Sequence, residues 1–221
     1  MYAPRVPGVP HRDAVKSQLE QLRALHERLE RCERCPKMLR PVVHGAAVVS
    51  DVLLLGQAPG VREGPAGKPF AWTAGKTLFA WFHEALGVDE ETVRARVYIA
   101  AVARCFPGKH PKGGGGDRKP DESEVEACKR WLEQEVALLR PKLVLPVGAL
   151  AITQVIGHDG PLAEVVGRLH QARWHGVDVE VLPLPHPSGA STWHRTEPGK
   201  SLLARSLTLL SRHPLGKAIA R

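Results

Sequence analysis

Four cysteines and two short motifs hold the residue types in this chain best suited to chemistry. Cys32 and Cys35 stand in Cys-Glu-Arg-Cys-Pro, and Cys105 and Cys128 follow singly with twenty-two residues between them. Thiolates bind soft metals, and a Cys-x-x-Cys at a helix end can clamp one. A zinc ribbon offers two such knuckles where this chain has one, and four thiolates equally hold a [4Fe–4S] cluster. Spacing leaves both open. Either group would pin the N-terminal helix to the helix bearing Cys128, a mostly structural role.

The first motif is Gly56-Gln57-Ala58-Pro59-Gly60, which follows the apolar run Val52–Leu55. In an open α/β sheet ligands bind beyond the carboxyl ends of strands, so a glycine-rich turn there is a candidate site floor. The second is His186-Pro187-Ser188-Gly189-Ala190-Ser191, which follows the expected strand Val177–Leu184. Gly75-Lys76-Thr77 looks like the end of a phosphate-binding P-loop, but Phe70 stands where that motif needs a glycine. That reading fails, and Lys76 and Thr77 belong to the first turn of a helix.

The elements that must position these residues alternate between strand and helix. Val15, Leu19, Leu22, Leu25 and Leu29 recur on one helical face. Val42–Val49 is either a strand or an irregular approach to the sheet. Strands are expected at Val52–Leu55, Val97–Val102, Leu143–Val147 and Val177–Leu184. Helices are expected at Gly75–Gly87, from Asp121 to Pro141, at Gly148–Ile156 and at Ser201–Ser211. This order predicts a three-layer αβα fold with a central, mostly parallel four-stranded sheet. Residues 1–12 read as a flexible basic tail and 13–215 as one domain. The loop Phe106–Pro120, with Gly113–Gly116 at its centre, is expected to be mobile: an exposed insertion or a basic flap over a polyanion.

Composition narrows the partner. The 221 residues hold 31 Lys+Arg against 23 Asp+Glu, a formal charge of +8 that favours a polyanion, nucleic acid above all. No apolar run approaches a membrane span and no signal-peptide core is present, so a cytoplasmic protein without a membrane partner is expected. Four cysteines in a reducing compartment suggest a metal group over disulfides. A monomer is expected.

Taken together, the motifs resemble the iron–sulfur branches, families four and five, of the uracil-DNA glycosylase superfamily. The resemblance rests on Gly56-Gln57-Ala58-Pro59-Gly60, Gly67-Lys68-Pro69-Phe70, the ordered cysteines and His186-Pro187-Ser188, and runs from about Cys32 to Leu210. It implies a [4Fe–4S] cluster on Cys32, Cys35, Cys105 and Cys128, and excision of uracil from DNA to leave an abasic site. The partner would be uracil-containing or abasic DNA. Because the base must leave the stack to be reached, the pocket needs an aromatic face and edge donors. Phe70 matches the family's stacking residue. His186 would donate to the departing uracil O2, helped by N–H groups of the Gly56–Gly60 turn. Ser188, Gly189 and Ala190 would bind phosphate, while Trp193, His194 and Arg195 fall where the family inserts a loop into the duplex.

Three positions depart from that pattern. Ala58 and Thr73 stand where branches of the superfamily carry an aspartate, and Ala100 where family four carries a base-reading asparagine. Glu63 is then the remaining pocket carboxylate, able to activate water or to crowd C5 of thymine. Base selectivity would fall to backbone groups and Gln57. Those losses also admit an alternative, a weak or inactive module that binds uracil or abasic DNA. A small-ligand protein with structural zinc is the third reading.

Overall fold

The computed structural model describes residues 12–110, 116–189 and 191–221. Three expectations fall wholly or partly outside them: the tail over most of its length, the centre of the Phe106–Pro120 loop, and Ala190. Among the described residues there are five strands: β1 (Val52–Gly56), β2 (Tyr98–Ala101), β3 (Leu143–Pro146), β4 (His170–Trp174) and β5 (Val177–Val181). They form one sheet in the order β2-β1-β3-β5-β4, parallel throughout except for β4 against β5.

The fifth strand corrects the expected count of four. β4 reads His-Gln-Ala-Arg-Trp, and of these only Trp174 is fully buried, so it lacks the apolar run of its neighbours. A two-residue turn, His175-Gly176, with both φ values positive (46° and 79°), folds β4 onto β5 as a tight hairpin. A His-Gly dipeptide between alternating segments was the available signal.

Among the described residues eight α-helices surround the sheet: α1 (Arg12–Glu30), α2 (Glu63–Ala66), α3 (Thr73–Leu86), α4 (Glu90–Arg96), α5 (Glu122–Leu139), α6 (Ala149–Ile156), α7 (Gly199–Arg212) and α8 (Pro214–Ile219). Alternation along β1 sorts them. Leu53 and Leu55 pack with Leu22, Leu25 and Leu29 of α1 and with Leu132 and Val136 of α5. Val52 and Leu54 pack on the other face with Leu78 and Phe82 of α3 and Leu203, Leu207 and Leu210 of α7. That is the expected three-layer αβα architecture, with an apolar core on each face.

Val42–Val49 is irregular, the second of its two expected forms. It runs so close to β2 that a β-carbon on Gly45 would lie 2.4 Å from the Ile99 carbonyl oxygen. The loop after β2 is a larger correction. Phe106 is buried and pairs with Leu39, Lys109 pairs with Asp117 across a second bridge, and Arg118 N–H donates to the Gly108 carbonyl. Arg118 also grips Glu124, the N3 residue of the α5 capping box, through both Nη atoms at 2.6 and 2.7 Å. Both stems of this loop are therefore packed. Residues 111–115, including the first three of the four central glycines, lie outside the described residues.

Candidate active site and cysteine cavity

The carboxyl ends of β1, β2 and β3 lie level, with Gly56 opposite Ala101 and Leu55 opposite Pro146. Beyond this edge the chain delivers the two motifs. The ring of Phe70 sits over the last residue of β1: a β-carbon on Gly56 would come within 2.8 Å of Phe70 Cζ and 3.7 Å of the Ala100 carbonyl oxygen. Phe70 is 8% exposed, less open than a pocket wall suggests, and holds a left-handed backbone with φ 54°. Such a conformation costs about 1–3 kcal/mol and persists only where neighbours fix it. Arg94 fixes it by donating from Nη2 to the carbonyls of Pro69 and Phe70 at 3.0 and 3.1 Å. The start of α3 does the rest, since a β-carbon on Gly75 would overlap the Phe70 carbonyl. Gly75 is needed for that approach, and Lys76 and Thr77 lie within α3 as expected.

Glu63 is buried, and both its carboxylate oxygens accept backbone N–H groups: Oε2 from Gly60 at 2.9 Å and Oε1 from Ala71 at 3.2 Å. Burial raises its pKa, opposed by those N–H donors and by Arg94. The glutamate thus staples the Gly56–Gly60 turn to the Phe70 segment. The Gly60 N–H, expected to face the leaving group, is spent on it.

His186 arrives at the same edge after β5. It lies against Gly148, the residue before α6, where a β-carbon would meet His186 Cδ2 at 3.0 Å. Gly148 follows Val147, whose backbone bridges Leu184. His186 Nδ1 receives the Ser188 backbone N–H at 3.2 Å and lies 2.9 Å from Ser188 Oγ. Burial, then the nearby His194, lowers its pKa. The imidazole is therefore neutral near pH 7, and with Nδ1 accepting, its proton sits on Nε2. Ser188 orients this ring, a use that its expected phosphate role did not include.

The rest of the second motif divides. Trp193 is half-buried, with its ring and carbonyl against Gly199 of α7. His194 is buried edge-on to Trp81 at 5.3 Å, and Arg195 Nε points at its Nε2 from 3.3 Å. That leaves the buried His194 Nδ1 without a partner. Arg195 and Gly189 are exposed.

Asp117 is a group that sequence reasoning missed. Its Oδ1 pairs with Lys109 Nζ at 2.7 Å, and its Oδ2 would lie 3.3 Å from a β-carbon on Gly60. The packed loop stem thus brings a carboxylate to the glycine turn from 57 positions along the chain. Only the reading of Phe106–Pro120 as unpacked hid it.

On the face of the sheet bearing α1 and α5, Cys32, Cys35, Cys105 and Cys128 all line one cavity of about 180 Å³, together with Arg104. All four are free thiols. Burial, then Cys35 and Cys32, pushes the Cys105 thiol up to about 11, and Cys128 is pushed up to about 12 mainly by burial. Arg104 is wholly buried and pairs through Nη2 with the equally buried Glu135. Its Nε and Nη1 have no partner. Unused guanidinium donors beside four thiols fit an anionic sulfur-rich group in this cavity. Among the described residues no set of three or more His, Cys, Asp or Glu side chains stands ready to hold a single metal ion.

An αβα sandwich carrying an aromatic platform and an oriented imidazole at one strand edge defines a class of ligand-binding α/β domain. Residues 43–207 match the Uracil DNA glycosylase superfamily, and the chain belongs to that family. The type-4 uracil-DNA glycosylase of Pyrobaculum aerophilum is 33% identical over 174 residues, which cover 76% of this chain and 83% of that protein. The type-4 enzyme of Sulfurisphaera tokodaii is 27% identical over 145 residues, 64% of this chain and 61% of its own length. The type-5 enzyme of Thermus thermophilus is 32% identical over 135 residues, 57% and 58% respectively. Among the described residues no helix is long and apolar enough to cross a membrane.

Proposed function

We propose that this protein hydrolyses the N-glycosidic bond of uracil in DNA, releasing the free base and leaving an abasic site. The observation that carries the reading is the placement of Phe70 over Gly56 and of His186 against Gly148, on one edge of the sheet. As the bond breaks, positive charge grows on the sugar and negative charge on uracil O2. His186 Nε2–H donates to that oxygen, with the N–H groups of Gln57 and Ala58 beside it. Phe70 stacks on the everted base, and the Ala100 carbonyl and Gln57 meet its edge. Exposed Arg195 and Gly189, with Trp193, face the DNA backbone.

The attacking water gives its oxygen to C1′ and its proton to a carboxylate. We assign that carboxylate as Asp117, since Ala58 and Thr73 offer none and both oxygens of Glu63 hold backbone. Glu63 is then a positioning residue. A [4Fe–4S] cluster on the four cysteines completes the reading. It would tie α1 to the root of the Asp117 loop and to α5, and no step of the hydrolysis passes through it.

The test is an oligonucleotide containing one uracil, incubated with the protein and assayed for free uracil and alkali-labile sites. Release at catalytic ratios is expected, and His186→Ala should lower it about 10²–10³-fold. Intact DNA, bound tightly without turnover, would instead establish the binding-module alternative that Ala58, Thr73 and Ala100 motivate.

A further inference from the structure

The most exposed aromatic ring beside the active site is not on the expected loop. Trp193 lies half-buried against Gly199, whereas Trp72, two residues beyond Phe70, is 54% exposed. The Arg62 guanidinium lies over its ring, 5.5 Å from the centroid, and the neighbouring Val61 is 48% exposed. These residues come from two separate segments. The Glu63 carboxylate holds the segments side by side by accepting from Gly60 on one and Ala71 on the other. The pair therefore has a fixed place at the rim, next to the ring that is to stack on the everted base.

An indole left open to water beneath a cation suits a flat, electron-rich partner carried on an anionic chain. Nucleobases offer a π-face whatever their sequence, and aromatic platforms beside cations are how proteins hold unpaired strands. The formal charge of +8 favours the same partner. We propose that Trp72 and Arg62 form a second platform, on which Trp72 stacks the unpaired nucleobase adjacent to the everted one and Arg62 neutralises its phosphate. The proposal deepens the functional reading above and rests on it. It makes a single strand, or a duplex opened around the lesion, the preferred substrate.

The probe is a fluorescein-labelled single-stranded oligonucleotide with one tetrahydrofuran abasic analogue, titrated by anisotropy over a range of salt concentrations. Trp72→Ala should weaken binding about tenfold or more without changing the salt slope, and Trp72→Phe should recover most of the loss. Arg62→Ala should reduce the slope by about one. Equal recovery by Trp72→Leu, or a Trp72→Ala protein that binds like wild type, overturns the platform. A parallel uracil-release assay separates the two claims. If wild type releases uracil while Trp72→Ala binds normally, only the platform falls; if wild type releases none, the glycosylase reading falls.

Discussion

Phe70 Cζ stands where only a glycine at position 56 permits it, 2.8 Å from the place a β-carbon would occupy. The strand end and the aromatic ring are thus fitted to one another. A methyl group there must push the ring away or bend β1. Gly56→Ala should cost about 1–3 kcal/mol in denaturant unfolding, typical of overpacking, and should lower uracil release more than it lowers stability. Wild-type release by Gly56→Ala would remove the ring from the site.

With His186 as the proposed donor, its protonation sets the expected pH profile. Its pKa is lowered by burial and by His194, so above pH 6.5 the ring is neutral and the neutral fraction only grows. With Nδ1 already accepting from Ser188, the Nε2–H donor persists throughout that range. The rate should stay level from about pH 6.5 to 8, measured as kcat on uracil DNA. A steep fall across that interval would mean the cationic imidazole is the working form.

Asp117 and Glu63 should separate cleanly. Asp117→Asn should lower kcat about 10²–10⁴-fold with little change in Tm, as removal of a general base does. Glu63→Ala strands the N–H groups of Gly60 and Ala71, each costing about 1–3 kcal/mol when buried, so its Tm should drop first. The opposite pattern would return water activation to Glu63.

The cysteine cavity predicts a paired result. Cys128→Ser should lose bound iron and the visible absorbance of an iron–sulfur centre. Glu135→Leu, which leaves the Arg104 charge alone in the core, should cost about 3–5 kcal/mol. Adding Arg104→Met should regain much of that stability. If all four thiols are dispensable for iron retention, the cluster assignment is wrong.

Acid sensitivity follows from His26. Burial, then His44 and Arg104, pushes its pKa down to about 3, while its Nε2 contacts the Tyr98 hydroxyl at 2.9 Å. Between pH 6.5 and 3 the unfolded chain binds the proton that the folded one refuses. Stability is therefore lost as pH falls below 6.5, by up to about 1.4 kcal/mol per unit from this residue. His26→Gln should flatten the decline between pH 6.5 and 5 in urea titrations.

Much of this arrangement was readable from the chain. The runs Val52–Leu55, Val97–Val102 and Leu143–Val147 are apolar because parallel strands are covered on both faces; the end of the first announces the glycine turn, and the end of Val177–Leu184 announces His186. β4 escaped because an edge strand paired on one side needs few apolar residues. The staple by Glu63 could not be read because its partners are backbone N–H groups, which carry no side-chain signature. Asp117 escaped for a different reason: its place depends on Arg118 gripping Glu124 and on the Lys109 bridge, contacts made only once the loop is folded.

The pairing of Leu39 with Phe106 has a mechanical consequence. It fastens the segment after Cys35 to the residue after Cys105, and from that knot the same loop stem travels to Asp117. Oxidative damage on the thiol side of the molecule would slacken this tether and let the carboxylate drift from Gly60. Turnover would then fail at a distance, with every group that touches the base still in place.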